Sequence, residues 1–171
     1  MDYSNVVYSR ALDGTLKNPG LPGTLAQLVV AQSEHESNGY TSPVFLNTNG
    51  NAFGYKYTGS NYQRGNYNGY AKYDSVDDST AEIVDYIYRR VADRSFPADL
   101  STIQTPAQYA TLLQNAVIGP YYEDSEMNYS GGIAKWFSTT VLEPLQQNPA
   151  LGIAVLAGLI VIAYGISKRK K

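Results

Sequence analysis

Two helix breakers, Pro22-Gly23 and Ser37-Asn38-Gly39, bracket a stretch whose pattern predicts a helix. Leu25, Leu28, Val29 and Gln32 recur at helical spacing, which predicts one apolar face. Thr24 and Gln27 read as a Thr-x-x-Gln capping box. Gln32 and Glu36 are four apart and so share a face. The helix therefore carries a carboxylate, Glu36, to its C-terminal end, where the chain opens into a Gly/Asn/Ser loop. A carboxyl in that position can be partly desolvated, which raises its pKa and suits it to give up a proton to a substrate. The same pattern also fits a solvated terminal Glu.

The chain has 171 residues, enough for one domain with a core plus an appendage. It has no Cys, which rules out a disulfide framework and a Cys-ligated metal. His35 is the only His, so Glu34-His35-Glu36 makes a poor zinc site, and no metal or cofactor is expected. Ser33 and Ser37 lack a His base at helical geometry, which argues against a serine hydrolase. The formal net charge is -2, and Lys168-Arg169-Lys170-Lys171 at the end holds four of the thirteen Lys and Arg. The rest is acidic, which argues against nucleic-acid binding. Sixteen Tyr offer flat apolar faces with hydroxyls, a chemistry that suits sugar rings and also serves ordinary β-ribbons.

Residues 1–23 read as a polar arm in which Val6, Val7 and Tyr8 are candidates to dock. The arm has no basic segment followed by an apolar one, so no secretory signal is expected. Thr41 to Gly50 reads as a loop, and Phe53, Tyr55 and Tyr57 alternate with Gly54, Lys56 and Thr58 at a period of two. Asn68-Gly69 is a hairpin signal, with Tyr70 to Tyr73 as the return strand of a small Tyr-rich ribbon. A second helix is expected from about Ser79, with Ser79 and Glu82 as a capping box and Asp77, Asp78 and Glu82 at its positive end. A third is expected from Thr105-Pro106-x-Gln108, and a fourth over roughly 126–142. Residues 144–149 read as a linker. Residues 150–167 are apolar on every face, and Ala150 to Ile166 covers roughly 26 Å as a helix, enough to cross a bilayer. With the basic tail 168–171 behind it, this run predicts a C-terminal transmembrane helix.

One further pattern is the series Gln32-x-x-x-Glu36-Ser37-x-x-x-x-Ser42 followed by Asn51-x-Phe53-Gly54-x-Lys56. Tyr73-Asp74-Ser75, Ser79, Asp85-Tyr86, Tyr109-Ala110 and Gly119-x-Tyr121 come after it in order. The series resembles the family 73 glucosaminidases, peptidoglycan hydrolases with a lysozyme-like helical fold, over roughly residues 24–137. The resemblance implies a mainly α (α+β) fold: a lysozyme-like domain at 24–143 with a small β-ribbon, to which the membrane helix is added. It implies Glu36 as the catalytic acid, with Gln32, Asn51 and Phe53 lining a glycan cleft. Tyr55, Tyr109 and Tyr121 are candidates to orient an acetamide or stack on a sugar.

Glycosidic cleavage usually needs a second carboxylate. The family often places a Glu in the β-lobe, whereas this chain has no acid between Lys56 and Asp74. Asp74 is the nearest substitute. A substrate-assisted route, or a lytic transglycosylase route through one Glu, needs no second acid. The expected partners are the peptidoglycan glycan strand, a lipid bilayer through 150–167, and virion or envelope proteins. Domain type and anchor together predict a lytic component of a membrane-containing bacteriophage virion, or an enzyme anchored in a bacterial inner membrane. A non-catalytic glycan-binding module and a structural membrane protein remain as alternatives.

Overall fold

A computed structural model describes residues 1–94, 96–114, 121 and 126–139. Met1–Phe137 forms one unit; of a second unit, Ser138–Lys171, only residues 138 and 139 are described. Among the described residues the chain is mainly helical, with one two-stranded sheet. The order is α1 (Tyr3–Asp13), α2 (Gly23–Ser37), α3 (Pro43–Asn47), β1 (Gly65–Tyr67), β2 (Tyr70–Lys72), α4 (Val76–Ala92), a 3₁₀ turn at Leu100–Thr102, α5 (Pro106–Gln114) and α6 (Glu126–Phe137).

The expected fold class needs correction. No helix among the described residues is long and apolar enough to cross a membrane. The longest, α4, interleaves its buried residues with charged ones. The span expected at 150–167, its linker at 144–149 and the tail at 168–171 lie outside the described residues. The helix expected over 126–142 is α6, Glu126–Phe137.

α2 lies at the centre. Leu25, Leu28, Val29, Ala31 and Gln32 are all fully buried, because α1 and α6 both pack on it. The single apolar face expected of α2 is therefore a helix covered on most sides. Its Thr24–Gln27 box does not form: the N-cap is Pro22, without a side-chain bond, and the helix starts at Gly23.

Residues 3–13 are a helix and not an arm. Asp2 caps it by accepting from the Asn5 amide, and Gly14, at φ 79°, ends it. Val7 and Ala11, four apart, are buried. Arg10 pairs with Asp77, which ties α1 to α4.

α4 begins earlier than expected. Ser75 is its N-cap, accepting from the Asp78 amide at 3.2 Å. Ser79 instead donates to the Gly50 carbonyl, and Glu82 is buried as the acceptor of Tyr73 and Gln63. The box at the start of α5 does form, with Thr105 and Gln108 each accepting from the other's amide. The hairpin pairs Tyr67 with Tyr70, and Asn68 and Gly69 both adopt positive φ (50° and 87°). That is the geometry a two-residue Asn-Gly turn provides. Residues 53–58 are not a strand. They run beside β2 with one bridge, Lys56 to Tyr70.

Candidate active site

Glu36 sits in the last turn of α2. Ser37 holds that turn by donating to the Ser33 carbonyl and accepting from the Tyr40 amide. Asn38 and Gly39 then take positive φ and end the helix, with the Gly39 amide bonded to the Glu34 carbonyl. Three residues of left-handed backbone after Ser37, Asn38 to Tyr40, therefore end α2 just beyond Glu36.

The half-buried Glu36 carboxyl meets α6. Tyr129 donates its hydroxyl to Oε1 of Glu36 at 2.5 Å. Oε2 faces the Asn51–Lys56 turn, where a Cβ on Gly54 would come within 3.2 Å of it. Gly54 has φ +64°, so glycine fits both the backbone and the space. Burial pushes the Glu36 pKa up, and the Tyr129 bond pulls against it without cancelling it. The negative end of the α2 dipole works in the same direction as burial.

The α2–α6 seam that places Tyr129 is tight. A Cβ on Gly132 would fall 2.2 Å from His35, and one on Gly39 would fall 2.9 Å from Trp136. His35 packs edge-on to the Tyr129 ring at 5.3 Å.

The side chains expected to bind substrate divide into two groups. Gln32, fully buried, accepts from Tyr109 at 2.7 Å and donates to Tyr129 at 3.1 Å. Asn51 wraps its own turn: it accepts from the Tyr55 amide and donates to the Tyr55 and Ala71 carbonyls. Phe53 is core, and Tyr109 is fully buried. These four are buried, and the structure places them behind the Glu36 carboxyl, where they hold the site in shape. Each polar group among them already has a protein partner.

Tyr55 and Tyr121 are the two that keep part of the side chain exposed. Their rings meet edge to face at 5.8 Å, and Tyr121 donates to the Phe53 carbonyl. The Tyr55 hydroxyl is buried and has no hydrogen-bond partner among the described residues. Asp74 lies elsewhere, past the end of β2, paired with Arg64 and 64% exposed in its side chain. Its pairing and exposure give it no share in the Glu36 surroundings.

Protein-family models, curated proteins and solved structures yield no match to this chain. The site therefore has to be read from its own geometry. Tyr129 is the residue that sequence reasoning missed. Its signal was present: Tyr129, Gly132, Ile133 and Trp136 recur at helical spacing, with the small residue where two helices close.

Proposed function

We propose that this chain is a glycoside hydrolase that cleaves β-1,4 bonds in the glycan strand of peptidoglycan, with Glu36 as the proton donor. The observation that carries the reading is the Glu36 carboxyl itself: partly withdrawn from water, raised in pKa, held by one donor, and with its other oxygen against the glycine turn at Gly54. A general acid needs a group that keeps its proton near working pH and gives it to a leaving oxygen. The amino-sugar substrate follows from the resemblance to family 73 glucosaminidases around Glu36 and Asn51–Lys56.

The one-acid route is favoured over a two-carboxylate route. No acid lies between Lys56 and Asp74, and Asp74 is turned to Arg64. Zymography on bacterial walls is the test, with clearing expected from wild type and none from Glu36→Gln. Equal clearing by the variant overturns the reading. Mass spectrometry of the released fragments then names the bond: reducing GlcNAc ends for a glucosaminidase, reducing MurNAc ends for a muramidase, anhydro-MurNAc ends for a lytic transglycosylase.

A further inference from the structure

Four side chains from three helices form one hydrogen-bonded line: Tyr109 of α5, Gln32 of α2, Tyr129 of α6 and Glu36 of α2. An amide has one donating and one accepting end. The end that faces Tyr129 decides what that hydroxyl can do. Tyr109 donates to Oε1 of Gln32, which turns Nε2 toward Tyr129. The Tyr129 oxygen thereby accepts from Gln32, and its single hydrogen goes to Oε1 of Glu36. An Oε1 that accepts in this position leaves Oε2 to carry the acid proton, and Oε2 is the oxygen beside Gly54.

We propose that Tyr109, Gln32 and Tyr129 are positioning residues that form a one-way relay, keeping Tyr129 a donor to Oε1 of Glu36 and holding the acid proton on Oε2, facing Gly54. The relay rests on Glu36 as proton donor for its purpose, but its direction can be measured without any activity. The titratable groups facing Glu36 are Tyr129, Tyr109 and Tyr121, with His35 beside it on α2 against the Tyr129 ring. Burial pushes Tyr109 and Tyr129 well up, so both stay neutral donors through the acid range.

The experiment is the titration of Glu36 by carbon NMR of protein labelled at the Glu side-chain carboxyl, in wild type, Tyr129→Phe and Tyr109→Phe. The Glu36 resonance is assigned by its loss in Glu36→Gln. With the relay running as proposed, Tyr129→Phe removes a bond to the carboxylate and the Glu36 midpoint moves up. Tyr109→Phe frees the Gln32 amide to turn over and draw the Tyr129 hydrogen away, so the midpoint moves the same way by less. Gln32→Met, of similar volume, tests that link again should Tyr109→Phe fail to fold. In the reverse direction a protonated Glu36 donates to Tyr129. Tyr129→Phe then leaves the midpoint unchanged or lower, which overturns the proposal. A Tyr129→Phe shift with none in either Tyr109→Phe or Gln32→Met also overturns it. On wall substrate, the alkaline limb of the kcat/KM profile should move up in the same order. Inactivity of wild type would count against the enzymatic reading alone, since the NMR result stands apart from it.

Discussion

Glu36 and Asp85 are both carboxyls withdrawn from open water, yet their pKa values move in opposite directions. Burial pushes each of them up. At Asp85, on α4, the hydroxyls of Tyr62 and Thr15 and the amide of Asn18 all donate to the carboxylate, Lys17 adds its charge, and the net pKa is lowered. At Glu36 one donor, Tyr129, faces the same burial, and the net pKa is raised. The difference lies in how many donors the fold supplies. Several turn a buried carboxyl into a structural anion, which here clasps the connection after α1 and the loop before β1 to α4. A single donor leaves a group that can hold and release a proton.

The comparison breaks first on activity. Glu36→Gln should lower wall clearing by about 10²–10⁴-fold, the range a general acid contributes. Asp85→Asn should leave kcat near that of wild type in samples that remain folded. Dye-release assays on purified walls measure both, and an Asp85→Asn loss as deep as that of Glu36→Gln would erase the distinction.

The next effect is on the seam that presents the single donor. In Gly132→Ala the new methyl would meet the His35 ring at 2.2 Å, so either that ring or the α2–α6 seam must shift. Overpacking of this kind costs about 1–3 kcal/mol, read as a lowered Tm. Clearing should fall with it, because Tyr129 rides on the same helix. On the Asp85 side, Asp85→Asn puts an amide N–H where donors already point. It should cost about 1–3 kcal/mol by urea unfolding at pH 7.

The sequence made some of this legible and hid the rest for physical reasons. Helix α2, the Asn68-Gly69 hairpin and the Thr105–Gln108 cap depend on local chemistry, and local chemistry shows in a linear pattern. Glu36 at the helix end could be read because Ser37-Asn38-Gly39 must stop the helix just after it. The partners could not be read. Tyr129 reaches Glu36, and Thr15 reaches Asp85, across separations of 93 and 70 residues that no local pattern encodes. Gln32 and Asn51 looked like cleft residues because polar side chains in a motif look available. Only packing shows that their amides are already bonded inside the protein. Helix α1 was overlooked because its apolar stripe is thin, with Val7 and Ala11 its buried residues.

The smallest effect is the most specific to the comparison, and it is one of sign. Asp85 has its folded pKa lowered, so its contribution to stability is present above the unfolded value of about 3.9 and is lost as pH falls through the folded pKa. The stability gap between wild type and Asp85→Asn should therefore close on acidification. Glu36 has its folded pKa raised, so the folded state holds that proton more tightly than the unfolded chain does. The resulting stability is complete below the unfolded value of about 4.3 and is lost as pH rises through the folded pKa. Glu36→Gln carries no such titration, and Tyr129 can still donate to its amide oxygen. It should match wild type in acid and become the more stable protein at pH 7. Urea unfolding at pH 4 and pH 7 on the three proteins reads both slopes. A Glu36→Gln gap that stays constant between the two pH values would mean that the Glu36 carboxyl is not shifted, and the contrast with Asp85 would reduce to burial alone.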